Sequence, residues 1–257
     1  MPPIFFGPSV QPLYGFLEAP RTRPRKTGVL LLYPGVQEYM RAHWAFRSLA
    51  NGLAERGFPV LRFDYRGVGD SAGEPERTTF ESCVDDACIA AEELREAMAV
   101  ERVALIGMRL GAAIAARAAM KLPFVQRVLL WTPVVSGQGY LAELEYMDQA
   151  MRLRLLHAAP RPSDELAGYR FPPDVRRSIE RIDLRDFPPG HARRFDILAQ
   201  FEAQETRELC EALRGGGHTV LNVAISDSGE PANFPDAALL AQGAIATLVA
   251  RMDESER

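Results

Sequence analysis

Apolar positions along the chain come in two patterns, short unbroken runs and longer stretches with helical spacing. Gly28–Tyr33, Pro59–Phe63, Val103–Ile106 and Arg127–Trp131 are near-continuous apolar runs, the pattern of strands covered on both faces. Between them, Arg41–Arg56 and Phe80–Val100 read as amphipathic helices, the first stopped by Gly57. An alanine-rich helix follows Val103–Ile106 and runs to about Met120. Ile4–Phe6 and Leu13–Leu17, split by Gly7-Pro8, predict a hairpin at a sheet edge. The alternation returns late in the chain. Arg194–Ala199 reads as strand, Glu202–Leu213 as helix, Thr219–Ile225 as strand and Asp236–Met252 as helix. Strands alternating with helices require right-handed crossovers, so the expected fold is α/β. The expectation is a mostly parallel eight-stranded sheet with helices on both faces.

The beat breaks between Gly139 and about Pro189. A polar helix over Leu141–Leu156, a proline-rich link and a short piece around Asp174–Ile182 show little strand character. We read residues 138–190 as a small helical cap inserted over the site, within one domain spanning residues 1–257. A chain of 257 residues in one domain buries about three quarters of the surface it exposes when unfolded, so it needs no staples. A net charge of -4 gives no reason to expect a nucleic-acid partner. Cys83, Cys88 and Cys210 match no metal spacing and read as reduced cytosolic thiols. Neither a signal peptide nor a run of ~20 apolar residues is visible. The chain is therefore expected to be cytoplasmic, with no membrane partner, cofactor or metal; its oligomeric state is left open.

The chemistry centres on Val103-Ala-Leu-Ile-Gly-Met-Arg-Leu-Gly-Ala112. A strand running through Gly-x-x-x-Gly into a helix is the frame of the nucleophile elbow, in which a strained turn lifts one side chain above the sheet. The apex, serine in an esterase or peptidase, is Arg109 here. A guanidinium stays protonated and cannot attack a carbonyl. A triad would also need an acid after the penultimate strand and a histidine after the last. Glu202 or Glu205 could supply the acid, but Ser226–Phe234 contains no histidine and none follows His218. A serine-type triad at the usual place is excluded by side-chain chemistry.

Arg109 emerges where backbone N–H groups of Leu110 and of Gly35 or Val36 would form an oxyanion hole, next to Met108. A cation at a helix N-terminus opposes the helix dipole unless an anion lies near. Three readings follow: an internal ion pair with Glu202 or Glu205 that plugs the site, a bidentately held ligand carboxylate or phosphate, or an electrophilic clamp serving another nucleophile. Ser136, after the strand beside the elbow, faces the crevice where open α/β sheets bind ligands and is a weak nucleophile candidate. Ser71, Asp64 and Asp70 fit turn-stabilising roles. His43, His157 and His191 fit surface or packing roles.

Tyr33-Pro-Gly-Val-Gln-Glu-Tyr-Met40, Phe63-Asp-Tyr-Arg-Gly-Val-Gly-Asp-Ser-Ala-Gly73, the Arg109 elbow and Leu130-Trp-Thr-Pro-Val-Val-Ser-Gly137 resemble bacterial α/β-hydrolases of the serine-aminopeptidase-like clade. Within it they are most similar to the exosortase A system-associated hydrolase type 2 group, whose elbow also carries Arg-Leu-Gly. The resemblance implies an α/β-hydrolase fold and a setting near polysaccharide or secondary-metabolite biosynthesis. Unlike the wider clade, the chain has Tyr33-Pro34 where His-Gly is usual and lacks the terminal histidine. The expected function is a non-classical or catalytically inactive homologue, a pseudoenzyme. It would bind a small acidic or acyl ligand through Arg109, Leu110, Met108, Gly35, Val36, Ser136 and Glu202. The alternative is an ester or thioester hydrolase, or an acyltransferase, using Ser136 or a water.

Overall fold

β1 (Pro3–Phe6) and β2 (Leu13–Glu18) pair antiparallel, with Phe6 opposite Leu13. β2 alternates buried and half-buried positions, as a strand covered on one face should. β3 (Thr27–Leu32) is buried at every position and leads into α1 (Val36–Glu55) and β4 (Val60–Phe63). α2 (Phe80–Ala97), β5 (Arg102–Met108), α3 (Leu110–Lys121) and β6 (Val125–Trp131) continue the alternation. Next come α4 (Gly137–Arg154), the short strands β7 (Glu165–Leu166) and β8 (Tyr169–Arg170), and α5 (Pro173–Glu180). β9 (Arg194–Ala199), α6 (Gln204–Gly215), β10 (Thr219–Ala224) and α7 (Gln242–Glu254) complete the order. The structure, a computed structural model, describes residues 3–154, 162, 164–187, 191–199, 204–225 and 241–254.

Eight strands form one sheet in the order β1-β2-β4-β3-β5-β6-β9-β10. The β1–β2 and β2–β4 pairs are antiparallel and the rest are parallel. From β3 the chain crosses one way to β4, then back past β3 to β5. Right-handed crossovers in opposite directions put α1 and α2 on opposite faces. α7 packs on α1, and α3 on α2, so both faces are covered.

The helix expected from about Arg41 begins at Val36. Its first turn escaped the apolar pattern because Tyr39 and Met40 line a cavity instead of the sheet. α2 is started by Thr79, whose hydroxyl accepts the Ser82 N–H while the Ser82 hydroxyl accepts the Thr79 N–H.

The segment between β6 and β9 is tied to the rest by backbone and side-chain bonds. Gly137 N–H donates to the Ile182 carbonyl at 2.8 Å, and a Cβ at Gly137 would sit 1.7 Å from the Ile179 carbonyl oxygen. Ser178 Oγ of α5 accepts the Phe80 N–H that opens α2. Beside its helices this segment carries the β7–β8 ladder, too short to register as a strand pattern.

Candidate functional site

The turn between β5 and α3 has the geometry its glycines require. Arg109 stands at φ 53°, ψ -119°, a region costly for any residue with a Cβ. A Cβ on Gly107 would lie 2.2 Å from the Gly111 carbonyl oxygen, and one on Gly111 would lie 2.3 Å from that of Leu32. The apex is bracketed by the end of β6: Arg109 N–H donates to the Trp131 carbonyl at 3.0 Å, and Val134 N–H donates to that of Arg109 at 3.2 Å.

The Arg109 side chain is 21% exposed and already has its counter-charges. Nε donates to Glu38 Oε1 at 2.8 Å, and Nη2 donates to Glu143 Oε2. The guanidinium lies 5.6 Å over the Tyr140 ring, whose hydroxyl donates to Glu38 Oε2 at 3.2 Å. Burial acts to lower the guanidinium pKa, and Glu38 and Glu143 more than reverse this, holding it above its usual value. Burial pushes the Glu38 carboxyl up, against the pull of Arg109. One cation faces two carboxylates, so the elbow is not an electropositive socket. Neither partner was among the residues the sequence singled out. Of those that were, Glu205 is exposed on α6 and Glu202 lies outside the described residues.

Beside the elbow lies a cavity of about 550 Å³, within the usual range for small-molecule sites. Leu110 and Gly35 line it, and Gly35 is close enough to Leu110 that a Cβ would meet Leu110 Cδ2 at 2.8 Å. Leu110 and Val36 are the first residues of α3 and α1, where N–H groups have no partner within their helix. The remaining wall is mainly apolar: Tyr39, Ile114, Phe171, Val175 and Ile179 contribute, with α5 and the β7–β8 ladder forming one side. The sequence had no signal for these residues, which meet only once the β6–β9 segment folds back. Met108 is buried under the turn and is not among the lining residues.

Ser136 is the residue before α4, and its Oγ accepts the Gly139 N–H at 3.2 Å, an N-cap role. Ser71 donates to the Asp64 carbonyl and accepts the Tyr14 N–H, so it fastens the turn after β4. Cys83 lines the cavity, but burial pushes its thiol far up, which keeps it protonated. His218 is buried at the start of β10, at the opposite end of the parallel strands from the elbow. His43 and His191 are exposed, and His157 lies outside the described residues. Among the described residues no hydrogen bond joins a histidine to Arg109, Ser71 or Ser136. Residues 200–203 and 226–240, the acid and histidine slots, are outside the described residues too. No group of three or more His, Cys, Asp or Glu side chains among the described residues could hold a metal ion. No described helix is long and apolar enough to cross a membrane.

Strand order, crossovers and an elbow after β5 define an α/β-hydrolase fold. The sequence pattern of the serine aminopeptidase S33 family matches residues 24–167, and the chain belongs to that family. A 74-residue stretch is 39% identical to the uncharacterized protein YfhR of Salmonella typhimurium; it spans 28% of this chain and 23% of that relative. Among solved structures, the Pyrococcus furiosus esterase PF2001 superposes with a TM-score of 0.67 at 14% identity, over 98% of this chain and 89% of that one. Est1E from Butyrivibrio proteoclasticus, with ferulic acid bound, also gives 0.67 at 14% identity, over 98% of both chains. The bottromycin epimerase BotH, in complex with bottromycin A2, gives 0.59 at 19% identity, over 96% of both.

Proposed function

We propose that this chain is a ligand-binding, non-hydrolytic member of its family that holds a neutral acyl compound in the 550 Å³ cavity beside the elbow. The observation that carries this reading is the pairing of Arg109 with Glu38 and Glu143. It fills the apex with a group that cannot attack, and it meets the positive charge from within the protein. A ligand carboxylate would have to displace Glu38 or Glu143, which favours the acyl branch of the expected ligand class over the acidic one. The mainly apolar wall supports the same choice. Within the family, the Arg-Leu-Gly elbow followed by Trp131-Thr-Pro-Val-Val-Ser-Gly137 supports membership of the exosortase A system-associated hydrolase type 2 group. Net charge and the absence of basic runs beyond the 21–26 loop support a small molecule, not nucleic acid, as the partner.

The esterases among its structural neighbours favour a second reading, hydrolysis or acyl transfer through Ser136 or a water. The N-cap bond of Ser136 weighs against it, because the hydroxyl accepts the Gly139 N–H and, among the described residues, no histidine is hydrogen-bonded to it. The two readings separate in one experiment. Medium-chain acyl esters and thioesters are titrated calorimetrically into wild type, Val68→Trp and Ser136→Ala, and each mixture is then assayed for free acid. The binding reading expects saturable uptake, a loss of about tenfold or more in Val68→Trp, and intact ligand throughout. Turnover that disappears in Ser136→Ala would establish the enzyme.

A further inference from the structure

α1 buries one side against the sheet through Ala42, Ala45, Phe46, Leu49, Ala50 and Leu53. The side turned away carries Met40, Trp44, Arg47, Asn51 and Glu55 at helical spacing, a stripe about 22 Å long. Met40 is 73% exposed and Trp44 58%, one turn apart. Single apolar side chains at a surface are ordinary, but this pair has a particular place. Met40 also lines the 550 Å³ cavity, so the two stand where that cavity meets solvent. The Arg47 guanidinium lies 5.5 Å from the centre of the Trp44 ring and has no acidic partner among the described residues.

The far end of the stripe is basic. Arg21 Nη2 donates to Asn51 Oδ1 at 2.7 Å and the Arg25 N–H donates to the Gly57 carbonyl at 2.8 Å, so the 21–26 loop runs along the end of α1. Carboxylates answer only part of its charge. Arg21 meets Glu55 at 3.5 Å with both side chains in solvent, and Arg25 and Arg56 share Asp253. Arg23 is exposed and has no acidic partner among the described residues. A chain of net charge -4 thus gathers an excess of positive charge along one face. An indole and a thioether at one end, with arginines along the rest, complement an anionic lipid surface. Met40 and Trp44 are separate tips with no groove between them, which a bilayer accepts and a protein partner would have to be shaped to fit.

We propose that α1 docks this chain on an anionic lipid surface. Met40 and Trp44 enter the headgroup layer, and Arg47, Arg23 and Arg21 meet the lipid phosphates. The mouth of the cavity then opens at the bilayer, where apolar acyl chains partition. Docking stands or falls independently of what the cavity holds. It needs no spanning helix, so the lack of a long apolar run, the ground for expecting no membrane partner, does not weigh against it.

Trp44 reports on the docking directly, because the other tryptophan, Trp131, is fully buried. Vesicles of phosphatidylcholine, alone and with about one third phosphatidylserine, are mixed with the wild-type protein and sedimented. Binding to the anionic vesicles should be tighter by about tenfold or more, fall with added salt and shift tryptophan emission to the blue. Arg47→Glu should weaken it about tenfold or more. Lys121→Glu, the same charge change on α3 at the opposite face, should weaken it less than about twofold. Trp44→Ala should remove the blue shift. All three side chains are exposed, and melting temperatures near that of wild type will show that the fold is intact. No sedimentation with anionic vesicles, no blue shift on binding, or equal losses in Arg47→Glu and Lys121→Glu overturns the proposal. So does a blue shift that grows with protein concentration without lipid, which assigns the face to a second copy of the chain. Polyglutamate bound as tightly as the vesicles would show that charge alone is recognised, and overturns it too.

Discussion

Arg109 Nε donates to Glu38 Oε1 at 2.8 Å, joining the elbow to the first turn of α1. The same guanidinium reaches Glu143 on α4, so one side chain links the sheet to the segment between β6 and β9. The two bonds should differ in weight. Glu38 is 16% exposed and Glu143 48%. Double-mutant cycles with Arg109→Ala, read by urea denaturation, should give a coupling of about 2 kcal/mol for Glu38. For Glu143 it should be under about 1 kcal/mol, as for exposed ion pairs. Equal couplings would mean that the exposed partner contributes more than solvent screening permits.

Restoring serine at the apex should not restore hydrolysis. Arg109→Ser supplies the missing hydroxyl, but among the described residues no histidine is hydrogen-bonded near the elbow, and the sequence contains none after His218. Ester turnover by this variant is expected to stay at the level of wild type in an aryl-ester assay. A burst of released alcohol with a trapped acyl-enzyme would show that a base had been overlooked.

The elbow glycines are steric requirements. Gly111→Ala drives a methyl group to 2.3 Å from two main-chain oxygens, those of Leu32 and Tyr33, and neither β3 nor its exit can yield without disturbing the sheet. A loss of about 3 kcal/mol or more is expected in chemical denaturation, above the usual overpacking range. A loss below about 1 kcal/mol would mean that the turn relaxes easily.

This part of the molecule could be read from the sequence because its causes are local. Gly107 and Gly111 lie four apart at the end of a buried run, and close main-chain approach follows from that spacing. The buried character of β3 and β5 was equally plain. Glu38 and Glu143 were not, although Glu38 stands in the quoted Tyr33–Met40 motif. Their meeting at Arg109 depends on α4 coming back to the elbow beside the first turn of α1, and nothing within a few residues of either one encodes that arrangement. The cavity wall formed by Phe171, Val175 and Ile179 was hidden for the same reason.

His218 should make stability depend on pH. Its Nδ1 accepts the Arg193 N–H at 3.3 Å, and it packs edge-on against Phe187 and Phe195, so the neutral ring is required. Burial and then Arg193 lower its pKa in the folded protein below the usual 6.5. The unfolded chain therefore takes up the proton first. Stability falls as pH drops below about 6.5 and stops falling, on this account, once pH is below the folded pKa. His218→Phe should remove this component, seen as the difference between wild-type and variant unfolding free energies across pH 5 to 8. A difference that does not change with pH would mean that His218 ionises freely in the folded state.

Calorimetric titration of wild type with a neutral medium-chain ester and with the matching carboxylate tests the central claim most directly. If Arg109 is committed to Glu38 and Glu143, the ester binds the tighter by about tenfold or more and is recovered uncleaved. Tighter binding of the carboxylate, abolished in Arg109→Ala, would contradict the account and make the elbow an anion site.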